Sequence, residues 1–81
     1  MKINKNIAIS ESGFIFNPST GDSFSTNPIG AEIIQMMKDD KKVSDIIKTI
    51  SSKYNVEGPA FEKDLEDFYA QLRDCYLTAY E

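Results

Sequence analysis

The stretch Phe14-Ile15-Phe16-Asn17-Pro18-Ser19-Thr20-Gly21-Asp22-Ser23-Phe24-Ser25-Thr26-Asn27-Pro28 decides the fold. Its first three residues are all apolar, so as a strand they ask for cover on both faces and belong in the middle of a small sheet. Asn17-Pro18-Ser19-Thr20-Gly21-Asp22 reads as a hairpin connection, because proline presets φ and glycine supplies a positive-φ position. Ser23-Phe24-Ser25-Thr26 alternates, one aromatic in a polar frame, which suits a short edge strand. At Asn27 the period changes. Asn27 can cap a helix whose first position is Pro28.

Upstream, Ile7 and Ile9 alternate with Asn6 and Ala8 as in a half-buried strand, and Glu11-Ser12-Gly13 supplies a tight turn. Downstream, Ile29, Ile33, Met36 and Met37 form an apolar helical stripe that Ile34 widens. The polar turn Asp39-Asp40-Lys41-Lys42 precedes a second helix, where Val43, Ile46, Ile47, Ile50 and Tyr54 recur at helical spacing. Asn55-Val56-Glu57-Gly58 ends it. Pro59 opens a third helix with Phe61, Leu65, Phe68 and Leu72 on one face and Tyr69 and Tyr76 beside them. The tail Tyr76-Leu77-Thr78-Ala79-Tyr80 is apolar enough to dock or to pair as a strand. Strands are expected at about 5–10, 13–17 and 22–26, and helices at about 28–38, 43–54 and 59–74. The expected fold is α+β and winged helix-turn-helix-like: a three-stranded antiparallel sheet followed by three helices, in one domain over residues 1–81.

Composition narrows the function. The chain has no histidine and one cysteine, which excludes His-dependent triads, His-ligated zinc, a disulfide framework and multi-cysteine metal sites. No apolar run is long enough for a signal-peptide core or a membrane span, so a soluble, cytoplasmic protein is expected. Nine cations stand against thirteen carboxylates, a net charge of −4 that disfavours broad contact with nucleic acid or an anionic membrane. The excess is local. Residues 1–56 are nearly balanced, whereas residues 57–81 hold Lys63 and Arg73 against seven carboxylates. A solvated outer face explains most of these acids; a sharper reading is a third helix that accepts a ligand bearing cations and repels phosphates.

Catalytic candidates are weak. Glu62, Glu66 and Asp67 fall on helical surface positions with no sign of the burial that would shift a carboxyl pKa. Cys75 lies near a helix C-terminus, where the dipole disfavours a thiolate, and reads as a half-buried inert thiol. Asp39-Asp40 lacks the ordered oxygen ligands of a calcium loop, no phosphate-cradling glycine loop or nucleophile elbow occurs, and Met36-Met37 reads as core. Three binding roles stay open. Winged-helix DNA binding or transcriptional regulation needs a basic recognition helix, yet the third helix is the most acidic segment and the second offers only Lys48 and Lys53. An acyl or peptidyl carrier needs a serine after an aspartate at a helix start, whereas Ser44 follows Val43 and precedes Asp45. Peptide capture by strand addition fits better: an edge strand offers backbone groups, and Phe61, Leu65, Phe68 and Tyr69 offer an apolar lining rimmed by carboxylates. A free edge can also pair with a second copy, giving a homodimer.

The order and spacing of these elements resemble the PqqD-like family, named after a small protein of pyrroloquinoline quinone biosynthesis. The resemblance spans nearly the whole chain. It rests on Ile15-Phe16-Asn17-Pro18-Ser19-Thr20-Gly21-Asp22-Ser23-Phe24, similar to the family's Asp/Asn-Pro-x-Thr-Gly turn, and on Asn27-Pro28 at the first helix. Val43-Ser44-Asp45-Ile46-Ile47 resembles the start of the family's second helix, and Phe61, Leu65, Phe68 and Leu72 match its last. Thr26 stands where the family usually has leucine, Lys42 replaces a hydroxyl residue, and Cys75-Tyr76-Leu77 stands where Gly-Leu is common. The resemblance implies a noncatalytic recognition element for ribosomal natural-product precursors, with no cofactor. It implies that a precursor's leader peptide lies along Ser23, Phe24, Ser25 and Thr26 and contacts Phe61, Leu65, Phe68 and Tyr69. The partner would be a modifying enzyme: a radical-SAM maturase, cyclodehydratase, leader peptidase or cyclase.

Overall fold

The computed structural model describes residues 1–79. Strands β1 (Ala8–Ile9), β2 (Phe14–Asn17) and β3 (Asp22–Ser25) form one antiparallel sheet in the order β1-β2-β3, and helices α1 (Pro28–Lys38), α2 (Val43–Tyr54) and α3 (Gly58–Asp74) follow. This is the α+β, winged-helix-like arrangement of three strands and three helices that the change of period at Asn27 predicts.

The hairpin is held by its own side chains. Asn17 Oδ1 accepts from the Ser19 N–H at 3.0 Å, Gly21 N–H reaches the Asn17 carbonyl at 2.8 Å, and Gly21 sits at φ +79°. Asn17 itself is only 1% exposed, and its Nδ2 donates to the Tyr76 carbonyl at 3.4 Å. Every polar end of this buried amide thus has a partner, as burial requires. At the other end of β2, Gly13 has φ +96°, and a Cβ there would fall 1.9 Å from the Thr26 carbonyl oxygen. Only glycine admits that approach.

The register places Ile9, Ile15 and Phe24 side by side on the face toward the helices. Phe14 and Phe16 project from the opposite face, 54% and 38% exposed. The expectation that both faces of β2 need cover is therefore corrected. The strand is central, but side chains alternate across a sheet and all the core lies on one side of it. β1 is shorter than its apolar pattern suggests, because Asn4 draws the chain into a turn: its Oδ1 accepts from Asn6 N–H and its carbonyl from Ile7 N–H.

Each helix starts where its sequence signals place it. Asn27 Oδ1 accepts from Gly30 N–H at 2.7 Å and Pro28 occupies the first turn. Lys42 supplies no side-chain cap to α2, and Asn55 ends α2 in the left-handed region at φ 54°. The core joins Ile7, Ile15, Ile34, Met37, Ile46, Ile50, Leu65, Leu72 and Leu77 from all layers. The tail packs through buried Leu77 and pairs with the N-terminal segment: Asn4 N–H reaches the Leu77 carbonyl, and Ile3 bridges Thr78. Tyr80, the last residue of the expected tail strand, lies outside the described residues.

Candidate functional site

Among the described residues β3 pairs with β2 alone, so its second edge faces outward. The pairs alternate between bonded and non-bonded along an antiparallel ladder. Thr26 N–H donates to the Gly13 carbonyl at 2.7 Å, which sets the phase: Phe24 spends its backbone groups on Ile15, while Ser23 and Ser25 turn theirs to the open edge. Phe24 sends its half-buried ring toward the core instead.

Thr26 also lines a groove of about 420 Å³. One wall is the start of α1 (Asn27, Ile29, Gly30, Ile33), another is α3 (Phe61, Asp64, Leu65, Phe68, Gln71), and Ile50, Tyr54 and Val56 close the end. Gly30 makes the corner possible, since a Cβ there would meet Thr26 Oγ1 at 2.0 Å. The open edge and the groove therefore meet at Thr26.

Of the α3 residues singled out from sequence, Phe61, Leu65 and Phe68 line the groove. Leu65 is 0% exposed and belongs to the floor, whereas half-buried Phe68 has ring area to offer. Tyr69 goes elsewhere. Its hydroxyl donates to the Lys2 carbonyl at 2.9 Å and accepts from the Lys2 N–H at 3.0 Å, which ties α3 to the N-terminal segment. Ser23, Phe24 and Ser25 stand outside the lining and contribute the edge. Sequence reasoning missed Ile29, Ile33, Tyr54 and Val56 as groove residues. Their helical spacing explains the first three as core, but Val56 had a signal: it is an apolar residue beyond the end of α2 that no helical stripe requires, and it is 44% exposed.

A second, larger cavity of about 580 Å³ opens against α1, β1 and the end of α2, lined by residues that include Ser10, Glu11, Glu32, Gln35 and Lys53. Three of its polar groups bond to one another. Glu32 accepts from Lys53 Nζ at 2.9 Å and from the Tyr54 hydroxyl at 2.8 Å. The Lys53 bond, aided by Tyr54, holds the Glu32 carboxyl below its ordinary range, and Glu32 in turn raises the pKa of both partners. Tyr54 lines both cavities. Glu62, Glu66 and Asp67 are exposed, and Cys75 is half-buried at the end of α3. Among the described residues no group of three or more histidine, cysteine, aspartate or glutamate side chains could hold a metal ion, and no helix is long and apolar enough to cross a membrane.

Fold and site together define a winged-helix-like α+β domain with an open sheet edge running into an apolar groove. The chain belongs to the family of coenzyme PQQ synthesis protein D (PqqD), whose profile matches residues 13–77, from the turn before β2 to the buried leucine of the tail. The structure of TbiB1 in complex with the TbiA(beta) leader peptide is similar, with a TM-score of 0.85 and 27% sequence identity over 100% of this chain and 99% of that one. No curated protein sequence matches the chain.

Proposed function

We propose that residues 1–81 act as one noncatalytic peptide-recognition domain that captures the leader of a ribosomally made precursor and presents it to a modifying enzyme. The observation that carries this reading is the likeness, over the full length, to a protein solved with a leader peptide bound. The open edge of β3 and the groove beside it support a mode of capture. The leader adds as a fourth, antiparallel strand on the outward backbone groups of Ser23 and Ser25. Its alternate side chains enter the groove over Phe61, Leu65 and Phe68. The domain performs no chemistry; it raises the local concentration of the core peptide at a partner such as a radical-SAM maturase, cyclodehydratase, leader peptidase or cyclase.

Titration of the isotope-labelled chain tests this, with the TbiA(beta) leader as the first probe. Amide shifts are expected at residues 23–26 and at the groove residues of α1 and α3. Shifts confined to the exposed face of α2 would refute strand addition. A shift in sedimentation to a dimer on removing the peptide would show a second copy using the same edge.

A further inference from the structure

Among the described residues thirteen line the groove, and Asp64 is the one acidic or basic side chain among them. Its neighbours on the helix cannot neutralise it. The positions three and four residues away are Ala60, Phe61, Asp67 and Phe68, which include no cation and one further acid. No described lysine or arginine lies within ion-pair distance of it; those ion pairs join Asp40 to Lys2 and Lys5, and Glu32 to Lys53. The facing wall from α1 is uncharged, and Gln71, two turns along the same face of α3, adds an amide at the rim. An exposed carboxylate thus stands between two phenylalanines, Phe61 and Phe68, beside a floor of Leu65. A wholly apolar ligand leaves that carboxylate partly desolvated and unpaired. A ligand with an acidic residue at that point is repelled, and one with lysine or arginine pairs with it while its aliphatic stem lies on the rings.

Resting on the peptide-capture reading above, we infer that Asp64 is a specificity residue: the groove selects an extended peptide in which an apolar anchor is flanked by lysine or arginine at a fixed spacing. The contribution to affinity is small, because an exposed pair is screened by solvent, so the effect is discrimination between sequences more than tightness of binding.

The test is selection of a phage-displayed library of random dodecapeptides on the immobilised full chain, in parallel with D64N and D64K. The site is an exposed helix position, so both variants are expected to keep the far-UV spectrum and melting behaviour of the parent. The parent should enrich an apolar residue with lysine or arginine at one fixed offset. D64N should keep the apolar preference and lose the basic one, and D64K should replace the basic residue by aspartate or glutamate. For one selected peptide, replacing its basic residue by glutamate should weaken binding to the parent by about threefold to tenfold and strengthen binding to D64K, both effects shrinking as salt rises. An apolar consensus with no charge preference, or one unchanged in D64K, overturns the role of Asp64 and leaves peptide capture standing. Recovery of no apolar consensus from any of the three proteins overturns both.

Discussion

Replacing Asn17 by aspartate exchanges the amide nitrogen and its hydrogens for a single oxygen at a site that is 1% exposed. The retained Oδ1 can still accept from the Ser19 N–H. The position of Nδ2, which donates to the Tyr76 carbonyl at 3.4 Å, becomes an oxygen facing an oxygen. At neutral pH the variant loses one hydrogen bond, worth about 0.5–1.5 kcal/mol, and sets a carboxylate oxygen against a carbonyl oxygen. Desolvation of the carboxylate adds to that, so a loss of about 3 kcal/mol is expected, or roughly 12–24 °C in melting temperature for a domain of this size. The pH dependence separates this account from a merely steric one. Burial and the facing carbonyl favour the protonated acid in the folded state, so its folded pKa is raised above the unfolded value of about 3.9. The penalty is fully present above the raised pKa and shrinks as pH falls toward the unfolded one, where the acid donates to Tyr76 as the amide did. N17A, which cannot titrate, should lose about 2 kcal/mol at every pH. Urea unfolding of both variants beside the parent at pH 7 and pH 4 decides it. A deficit for N17D that is absent at pH 7, or no smaller at pH 4, refutes the reasoning.

Two further outcomes follow from the same geometry. F68A should keep the fold and weaken a bound peptide by about 1–2 kcal/mol, whereas L65E should fail to fold, because its carboxylate would be buried without a partner; circular dichroism and a binding isotherm distinguish them. Glu32 has its folded pKa lowered from an ordinary 4.5 by Lys53 and Tyr54, so its contribution is present above that pH and is lost as pH falls through the lowered value. E32Q should therefore be less stable than the parent by under about 1 kcal/mol at pH 7, with the gap closing below pH 4.5 in thermal melts.

Much of the fold was legible because its signals are local. Asn17-Pro18 with Gly21 makes a turn wherever it occurs, and Asn27-Pro28 caps a helix through a bond three residues long. The cover on β2 was misjudged because three apolar residues in a row say nothing about how many layers the chain can build. With helices on one side only, Phe14 and Phe16 stay outside. On α3 the spacing identifies a face but does not divide it. Phe61, Leu65, Phe68 and Tyr69 share that face within a residue or two, yet Leu65 is the floor, Phe61 and Phe68 are wall and Tyr69 reaches back to Lys2.

The sequence by itself determined the order of strands and helices, the turn and cap positions, the acidic excess of the last helix and the absence of histidine. Only the tertiary structure decided that Thr78 pairs with Ile3, that among the described residues β3 keeps an open edge, that Thr26 joins this edge to the groove, and that Asp64 is the one charged side chain among the described residues lining it. The physical reason is range. Turns, caps and periodicity act over a few residues, whereas a groove is the space left between three helices and a strand end, and its shape depends on contacts between residues far apart in the chain.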